Sequence, residues 1–247
     1  MKDVNDVVRI MGVPVAKLSM DQTVQWLTER LKTGGTELCH VVTANPEMVM
    51  NQQHDQELKQ IIHEAELVTP DGIGMVMAAK WKGEPVPERV TGYDLLLRLL
   101  EAGGQHGWSF YFLGTDEETN RKAVEIIRNR YPGVQIAGSH HGFFAPEEED
   151  RLVTEIRKAQ PDFLIVALGI PRAEKWIHHY KNQLGAKVAI GVGGSLDVIA
   201  GKVKGAPEIW KRLNLEWLYR LLRQPSRWRR QLVLPKFAVK AYLTRNE

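Results

Sequence analysis

Residues 163–171 read Phe163-Leu164-Ile165-Val166-Ala167-Leu168-Gly169-Ile170-Pro171. A continuous apolar run broken by glycine and proline is the pattern of a strand buried on both faces, which is how the middle of a parallel sheet reads. Working outward, the same grammar repeats. Ser109-Phe110-Tyr111-Phe112-Leu113 ends at Gly114-Thr115, and Leu38-Cys39-His40-Val41-Val42-Thr43 ends at Ala44-Asn45-Pro46. Leu67-Val68-Thr69 ends at Pro70-Asp71-Gly72, residues 134–138 form another short strand, and Val188-Ala189-Ile190 runs into Gly191-Val192-Gly193-Gly194. Between them lie helical patterns near 46–64, 73–81, 93–102, 117–130 and 146–159, with one more before residue 188. The first helix, 21–32, opens on the capping pair Ser19 and Gln22 and stops at Gly34-Gly35. Strands alternating with helices of this length predict a Rossmann-like α/β fold, a largely parallel sheet with helices on both faces. The alternation stops around 195–206. Residues 1–195 therefore read as the core and 196–247 as a basic helical C-terminal appendage.

Composition agrees with one soluble domain and little more. The 247 residues are 43% hydrophobic and 26% charged, which excludes a disordered regulator, a collagen or a disulfide scaffold. The single cysteine, Cys39, permits no intrachain disulfide and suits a reducing compartment. No apolar run reaches the ~18 residues of a membrane span, and Met1-Lys2-Asp3-Val4 does not open a signal peptide. Charge is uneven: residues 201–247 hold 12 Lys and Arg against 3 Asp and Glu, leaving 21 against 27 in the first 200. Three of the seven tryptophans, Trp210, Trp217 and Trp228, lie in that basic tail. A basic, aromatic tail on an acidic body calls for an anionic partner: membrane surface, phosphate-bearing ligand or nucleic acid.

In parallel sheets ligands bind beyond the carboxyl ends of the strands. Five turns, at 43–46, 70–72, 114–116, 169–171 and 191–194, should open on that one edge. Each alone is ordinary strand-ending chemistry; their convergence is what marks a site. Asp71, after a strand and before a helix, is the candidate reacting carboxylate, with capping of the following helix as the alternative. Gly191-Val192-Gly193-Gly194-Ser195 resembles a phosphate-cradling loop. It lacks a full G-x-G-x-x-G and the acidic residue that would follow in a dinucleotide site. Asp197 reads as a first-turn acid stabilising its helix, and Glu147-Glu148-Glu149 as a solvated first turn.

His140-His141 and His178-His179 are adjacent, so on a helix each pair diverges, and there is no Asp-x-Asp. No metal and no other cofactor is expected. Any diphosphate must then be met by Arg, Lys and helix N-termini. Arg89 is one candidate. Arg220, Arg223, Arg227 and Arg230 are spaced to share a helix face, although Pro225 interrupts them. With Trp217, Leu218, Leu221, Leu222, Trp228, Leu232, Leu234, Phe237 and Tyr242 among them, they suit an interfacial segment. The alternative is a helical pair packed on its own domain. Composition and spacing stop at a Rossmann-like protein with an anionic partner.

The order of the motifs goes further. Thr43-Ala44-Asn45-Pro46, Pro70-Asp71-Gly72, Arg89-Val90-Thr91-Gly92-Tyr93-Asp94, Gly114, Gly169-Ile170-Pro171 with Glu174, Gly191-Val192-Gly193 and Leu215-Glu216-Trp217-Leu218-Tyr219-Arg220 resemble the TagA/WecG/CpsF family, N-acetylmannosaminyltransferases of wall teichoic acid and related glycopolymers. The resemblance covers about residues 8–235. It implies a bacterial enzyme peripheral to the cytoplasmic face of the plasma membrane, independent of metal. Such an enzyme moves N-acetylmannosamine from UDP-N-acetylmannosamine to undecaprenyl-diphosphate-linked N-acetylglucosamine, forming a β-1,4 linkage with inversion. Asp71 would be the general base at the acceptor 4-hydroxyl. Thr43 and Asn45 would position the sugars, and Arg89 would meet phosphate or sugar. Gly169, Pro171, Glu174, Gly191, Gly193 and Gly194 would complete the substrate-binding set. Arg220, Arg227 and Arg230 would close over the site and steady the leaving diphosphate, while the tail meets an anionic membrane. A homodimer is compatible with the family. One position departs: the family's glutamine before Glu-Lys is Ala173 here, at the cost of one hydrogen-bonding side chain.

Two other readings predict different behaviour. A Rossmann-type oxidoreductase using the 191–194 loop would bind nicotinamide or flavin without needing the tail. A nucleic-acid module would bind through 201–247 in a salt-sensitive way, but the body is acidic and no nucleic-acid motif is present, so no nucleic-acid partner is expected. A third is a transferase of the same family using another UDP-sugar.

Overall fold

The computed structural model describes residues 6–33, 37–207, 209–210, 213, 215–223, 228 and 232–246, apart from the Arg220 side chain. Six strands make one parallel sheet: β3 (Cys39–Ala44), β4 (Leu67–Pro70), β5 (Ser109–Gly114), β6 (Gln135–His140), β7 (Phe163–Ala167) and β8 (Val188–Gly191), in the order β4-β3-β8-β7-β5-β6. Every neighbouring pair is parallel. All six were legible as strands in the sequence.

The 163–168 run sits in the interior of the sheet, as its pattern requires. Phe163 and Ile165 share one face with Phe110, Phe112, Val188 and Ile190, under α1 (Met20–Thr33), α5 (Gly92–His106), α6 (Glu117–Arg130) and α9 (Ser195–Ile199). Leu164 and Val166 share the other with Tyr111, Leu113 and Ala189, under α7 (Pro146–Ala159) and α8 (Arg172–Tyr180). Side chains alternate across the sheet, so a continuous apolar run feeds both cores at once. The expected caps are present. Ser19 Oγ accepts from the Gln22 backbone N–H at 3.2 Å while Gln22 Oε1 accepts from the Ser19 N–H at 3.0 Å. On α7 only half of such a box forms: Glu148 Oε2 accepts from the Ala145 N–H at 2.7 Å, and alanine has no side chain to return the bond.

Two features differ from the sequence reading. The helical stretch 46–64 is two helices, α2 (Pro46–Asn51) and α3 (Gln56–Glu64), because Asp55 restarts the chain by accepting from the Leu58 N–H at 3.0 Å. Before the first helix stands an unforeseen antiparallel hairpin, β1 (Val7–Ile10) and β2 (Val13–Ala16). Its turn is Met11-Gly12, both at positive φ (49° and 90°). That is the geometry a two-residue hairpin wants, but methionine is not a residue that announces it. The Gln52 amide, donating to the Met11 carbonyl at 3.1 Å, holds the turn.

The hairpin joins a third core with α2, α3, α4 (Ile73–Trp81) and the C-terminal helix α11 (Val233–Leu243). Phe237 and Ala241 of α11 are buried in it. Phe237, read from sequence as part of an interfacial stripe, is therefore core. Val239, Tyr242 and Leu243 on the same helix are exposed. A shorter helix, α10 (Glu216–Arg223), precedes it.

Candidate active site

Chain order explains where a crevice must open. From β3 the chain runs out to β4 at one edge of the sheet. From β5 it runs out to β6 at the other, then returns through β7 and β8 to close against β3. The seam between β3 and β8 is where the two halves of the sheet meet, and ligands favour such reversals. At its carboxyl end the seam is stitched by one hydrogen bond: the buried Thr43 hydroxyl donates to the Gly191 carbonyl at 3.1 Å.

Asp71 stands one strand over. Its N–H donates to the Ala44 carbonyl at 2.8 Å, fixing the backbone beside β3. Gly72, the N-cap of α4, sits at φ 97° and has no side chain with which to cap it. The Asp71 carboxyl reaches towards α5. Its Oδ2 accepts from the Gly92 N–H, the first residue of α5, at 3.3 Å. The 89–92 segment is pinned there by a Val90 N–H to Pro70 carbonyl bond of 2.9 Å and a Thr69 hydroxyl to Val90 carbonyl bond of 3.0 Å. Gly92 is tightly enclosed: a Cβ there would lie 3.2 Å from Thr43 Oγ1 and 3.4 Å from Val192 Cα. Thr43, Asp71, Gly92 and Gly191 are thus one contiguous patch built from the ends of β3 and β8, the start of α5 and the turn after β4.

Asn45 caps α2, accepting from the Met48 N–H at 2.9 Å, which leaves its amide nitrogen as a donor beside the patch. Arg89 forms a half-buried ion pair with Glu216 of α10 at 3.2 Å. That contact brings the tail to the loop preceding α5. Arg220 is on the same helix, and Arg227 and Arg230 lie outside the described residues.

Gly193 (φ 53°) and Gly194 form the turn into α9, a helix of only five residues. The acid on that helix, Asp197, does more than face its dipole: it accepts from the Thr115 hydroxyl at 2.7 Å. Thr115 itself is held at φ 54°, with its N–H on the Ala167 carbonyl at 3.2 Å. A left-handed threonine is a strained residue kept by its surroundings, and such residues gather at functional edges. Nothing in the local sequence announced this link between β5 and α9.

Gly169 (φ 79°) and Pro171 end β7 on the same edge. Pro171 also lines a groove of about 420 Å³ between α3, α7 and α8, with Arg172, Lys175, Trp176 and His179. That groove holds none of Thr43, Asp71, Arg89 or Gly191, so it is not where these residues converge.

Glu174, in the first turn of α8, is 2% exposed, and its Oε2 is buried without a hydrogen-bond partner among the described residues. Burial pushes its carboxyl up to about 7. An unfolded chain titrates the same group near 4.5. The folded state is therefore undisturbed below about pH 4 and loses stability as pH rises towards 7, by about 3 kcal/mol in all. Thermal melts of Glu174→Gln against wild type should show the mutant's relative stability rising by that amount from pH 4 to pH 8. A difference independent of pH refutes the buried carboxyl. Cys39 is buried too, its thiol pushed up to about 12, which makes it an inert core residue.

A parallel α/β sheet with a carboxylate, a threonine and glycine turns gathered at its carboxyl edge is a Rossmann-like arrangement, and folds of this class take ligands beyond that edge. The chain belongs to the WecG/TagA/CpsF glycosyl transferase family, whose model matches residues 8–247. It is 39% identical to a Bacillus spizizenii protein, over 80% of this chain and 76% of the relative. It is 36% identical to one from Bacillus subtilis, over 81% and 77%, and 34% identical to one from Staphylococcus aureus, over 94% and 91%. All three relatives carry the name N-acetylglucosaminyldiphosphoundecaprenol N-acetyl-beta-D-mannosaminyltransferase.

Proposed function

We propose that this glycosyltransferase moves N-acetylmannosamine from UDP-N-acetylmannosamine to N-acetylglucosamine on undecaprenyl diphosphate, with inversion, in wall teichoic acid linkage-unit synthesis. The names of the relatives support the acceptor and the sugar. The observation that carries the mechanism is Asp71: placed just beyond β4 at the carboxyl edge and held by the Gly92 N–H.

In the transfer, the acceptor 4-hydroxyl oxygen attacks the anomeric carbon from the face opposite the diphosphate. Its proton goes to the Asp71 carboxylate as the new C–O bond forms. The bond from the anomeric carbon to the diphosphate oxygen breaks, and UDP leaves with the electron pair. One ionised carboxylate suffices for such a single displacement, and an aspartate is ionised at neutral pH. Thr43 and Asn45 frame the sugars. The negative charge arriving on UDP calls for guanidinium groups, which Arg89 and the tail's Arg220, Arg227 and Arg230 supply. The Arg89–Glu216 pair supports a tail seated at the site. Among the described residues no helix is long and apolar enough to cross a membrane. Exposed Ile209, Trp217, Leu222, Trp228 and Leu232, on a segment rich in Lys and Arg, suit a peripheral seat on an anionic membrane, at its cytoplasmic face.

The direct test is UDP release from UDP-N-acetylmannosamine with a short-chain lipid-diphosphate N-acetylglucosamine. Release that depends on the acceptor is expected. Release with another UDP-sugar but none with this one would reassign the donor. No release with any UDP-sugar would overturn the reading.

A further inference from the structure

Among the described residues Glu174 is the deeply buried carboxylate at the active edge; the family resemblance puts it in the substrate-binding set, but no step of the transfer uses its carboxyl. Helix α8 carries it under the end of β8, so close that a Cβ on Gly191 would lie 2.6 Å from its Oε1. Ala173 crowds the same spot, its Cβ 3.6 Å from that position. Only glycine at 191 lets the carboxyl reach the strand. From there a run of contacts crosses the site. The Gly191 carbonyl takes the Thr43 hydroxyl at 3.1 Å. Thr43 Oγ1 lies against Gly92, where a Cβ would be 3.2 Å away. The Gly92 N–H holds Asp71 Oδ2 at 3.3 Å. Each step is a backbone or short side chain with little slack, so a shift at one end reaches the other. A buried polar atom without a partner is costly, so the placement of Glu174 Oε2, unpartnered among the described residues, calls for a reason.

We propose that Glu174 is a positioning residue: its carboxyl buttresses the Gly191 turn from behind and, through Gly191, Thr43 and Gly92, sets where the Asp71 carboxylate stands. The proposal rests on Asp71 acting as the base. It is also distinct from a sugar contact made by Glu174 itself, because no part of the mechanism requires substrate to touch it. Displacing reacting groups by even an ångström costs about 10²-fold in rate, whereas donor affinity depends on contacts spread over the whole edge.

The test begins with wild type and Asp71→Asn in the UDP-release assay, which stands or falls on the functional reading alone. Given turnover that needs Asp71, Glu174→Ala opens space behind Gly191 and should lower kcat by about 10²-fold, with the KM for the UDP-sugar changed by less than about threefold. Glu174→Gln fills the same space and should restore kcat to within about threefold of wild type. Gly191→Ala pushes on the carboxyl from the opposite side and should reproduce the kcat loss, which keeps the proposal testable if Glu174→Ala does not fold. Wild-type kcat in Glu174→Ala or Gly191→Ala would overturn it. So would a Gln variant as slow as the Ala variant, or a loss that falls on KM rather than kcat, since either would mean Glu174 meets the substrate directly.

Discussion

Asp71→Asn should lose about 10³-fold in turnover while melting within a few degrees of wild type. The rate prediction follows from what the amide can and cannot do. An asparagine at 71 has the same shape and can still accept from the Gly92 N–H, so the 89–92 segment stays where Val90 and Thr69 pin it. It cannot take up the acceptor's proton at neutral pH, so the hydroxyl must attack unassisted. The stability prediction follows from α4. Its N-cap is Gly72 and not residue 71, and asparagine keeps an acceptor oxygen where the aspartate had one, so the bond from the Gly92 N–H survives the loss of charge. Loss of a cap would cost about 1 kcal/mol, and a chain of this size would melt about 2–4 °C lower for it. UDP-release kinetics, donor binding and thermal melts of the two proteins together decide the matter. Near-normal turnover in the variant would remove Asp71 from the chemistry. A fall in activity matched by a large fall in melting temperature would return it to a structural role.

The sequence disclosed the sheet because parallel strands carry their own signal. Continuous apolar runs such as 163–168 and 109–113 can only be buried on both faces, and each ended in a visible turn. It also disclosed which turns share an edge, since that follows from parallelism alone. What it could not disclose were the contacts between those turns. Asp71 and Gly92 are separated by a helix and a loop, and nothing local to either residue says that one oxygen of the first meets the N–H of the second. Asp197 looked like an ordinary first-turn acid because its partner, Thr115, is a strained residue two strands away. Glu216 was visible only as part of a family motif, since its bond to Arg89 spans 127 positions. The hairpin at 7–16 was missed for a local reason: its turn uses a methionine at positive φ and its second strand contains Pro14. The tail misled in a different way. Aromatic and basic residues alternate along it, and only the packed structure separates those facing water from Phe237, which faces the core.

That one residue sets the second large effect. Phe237→Ala should destabilise the protein by about 3–4 kcal/mol, lowering its melting temperature by about 10 °C. Phe237 is 1% exposed and closes the third core over the start of α4, where a Cβ on Gly74 would lie 2.8 Å from Pro46 Cγ and 3.5 Å from Phe237 Cε1. The neighbouring Trp81 and Tyr242 rings meet edge-on at 5.8 Å, so α11 is fastened at two levels along α4. With so little room, the surrounding residues cannot collapse into the space that a truncated side chain leaves. Val239→Ser and Leu243→Ser, on the exposed face of the same helix, should change stability by less than about 0.5 kcal/mol. Sedimentation with anionic vesicles should weaken in that second pair, while the first variant, below its melting temperature, should sediment as wild type does. The contrast bears on how the tail is studied. Removing residues 201–247 strips Phe237 from the core along with every tail arginine, so lost activity in that truncation reports a damaged body as readily as an incomplete site. Substitutions on α10 escape this: Trp217→Ser and Leu222→Ser alter exposed side chains and leave α11 in place. If those two lower activity on a lipid-linked acceptor in vesicles but not on a short-chain acceptor in solution, the tail acts by seating the enzyme on the membrane; equal losses on both would place its contribution inside the site.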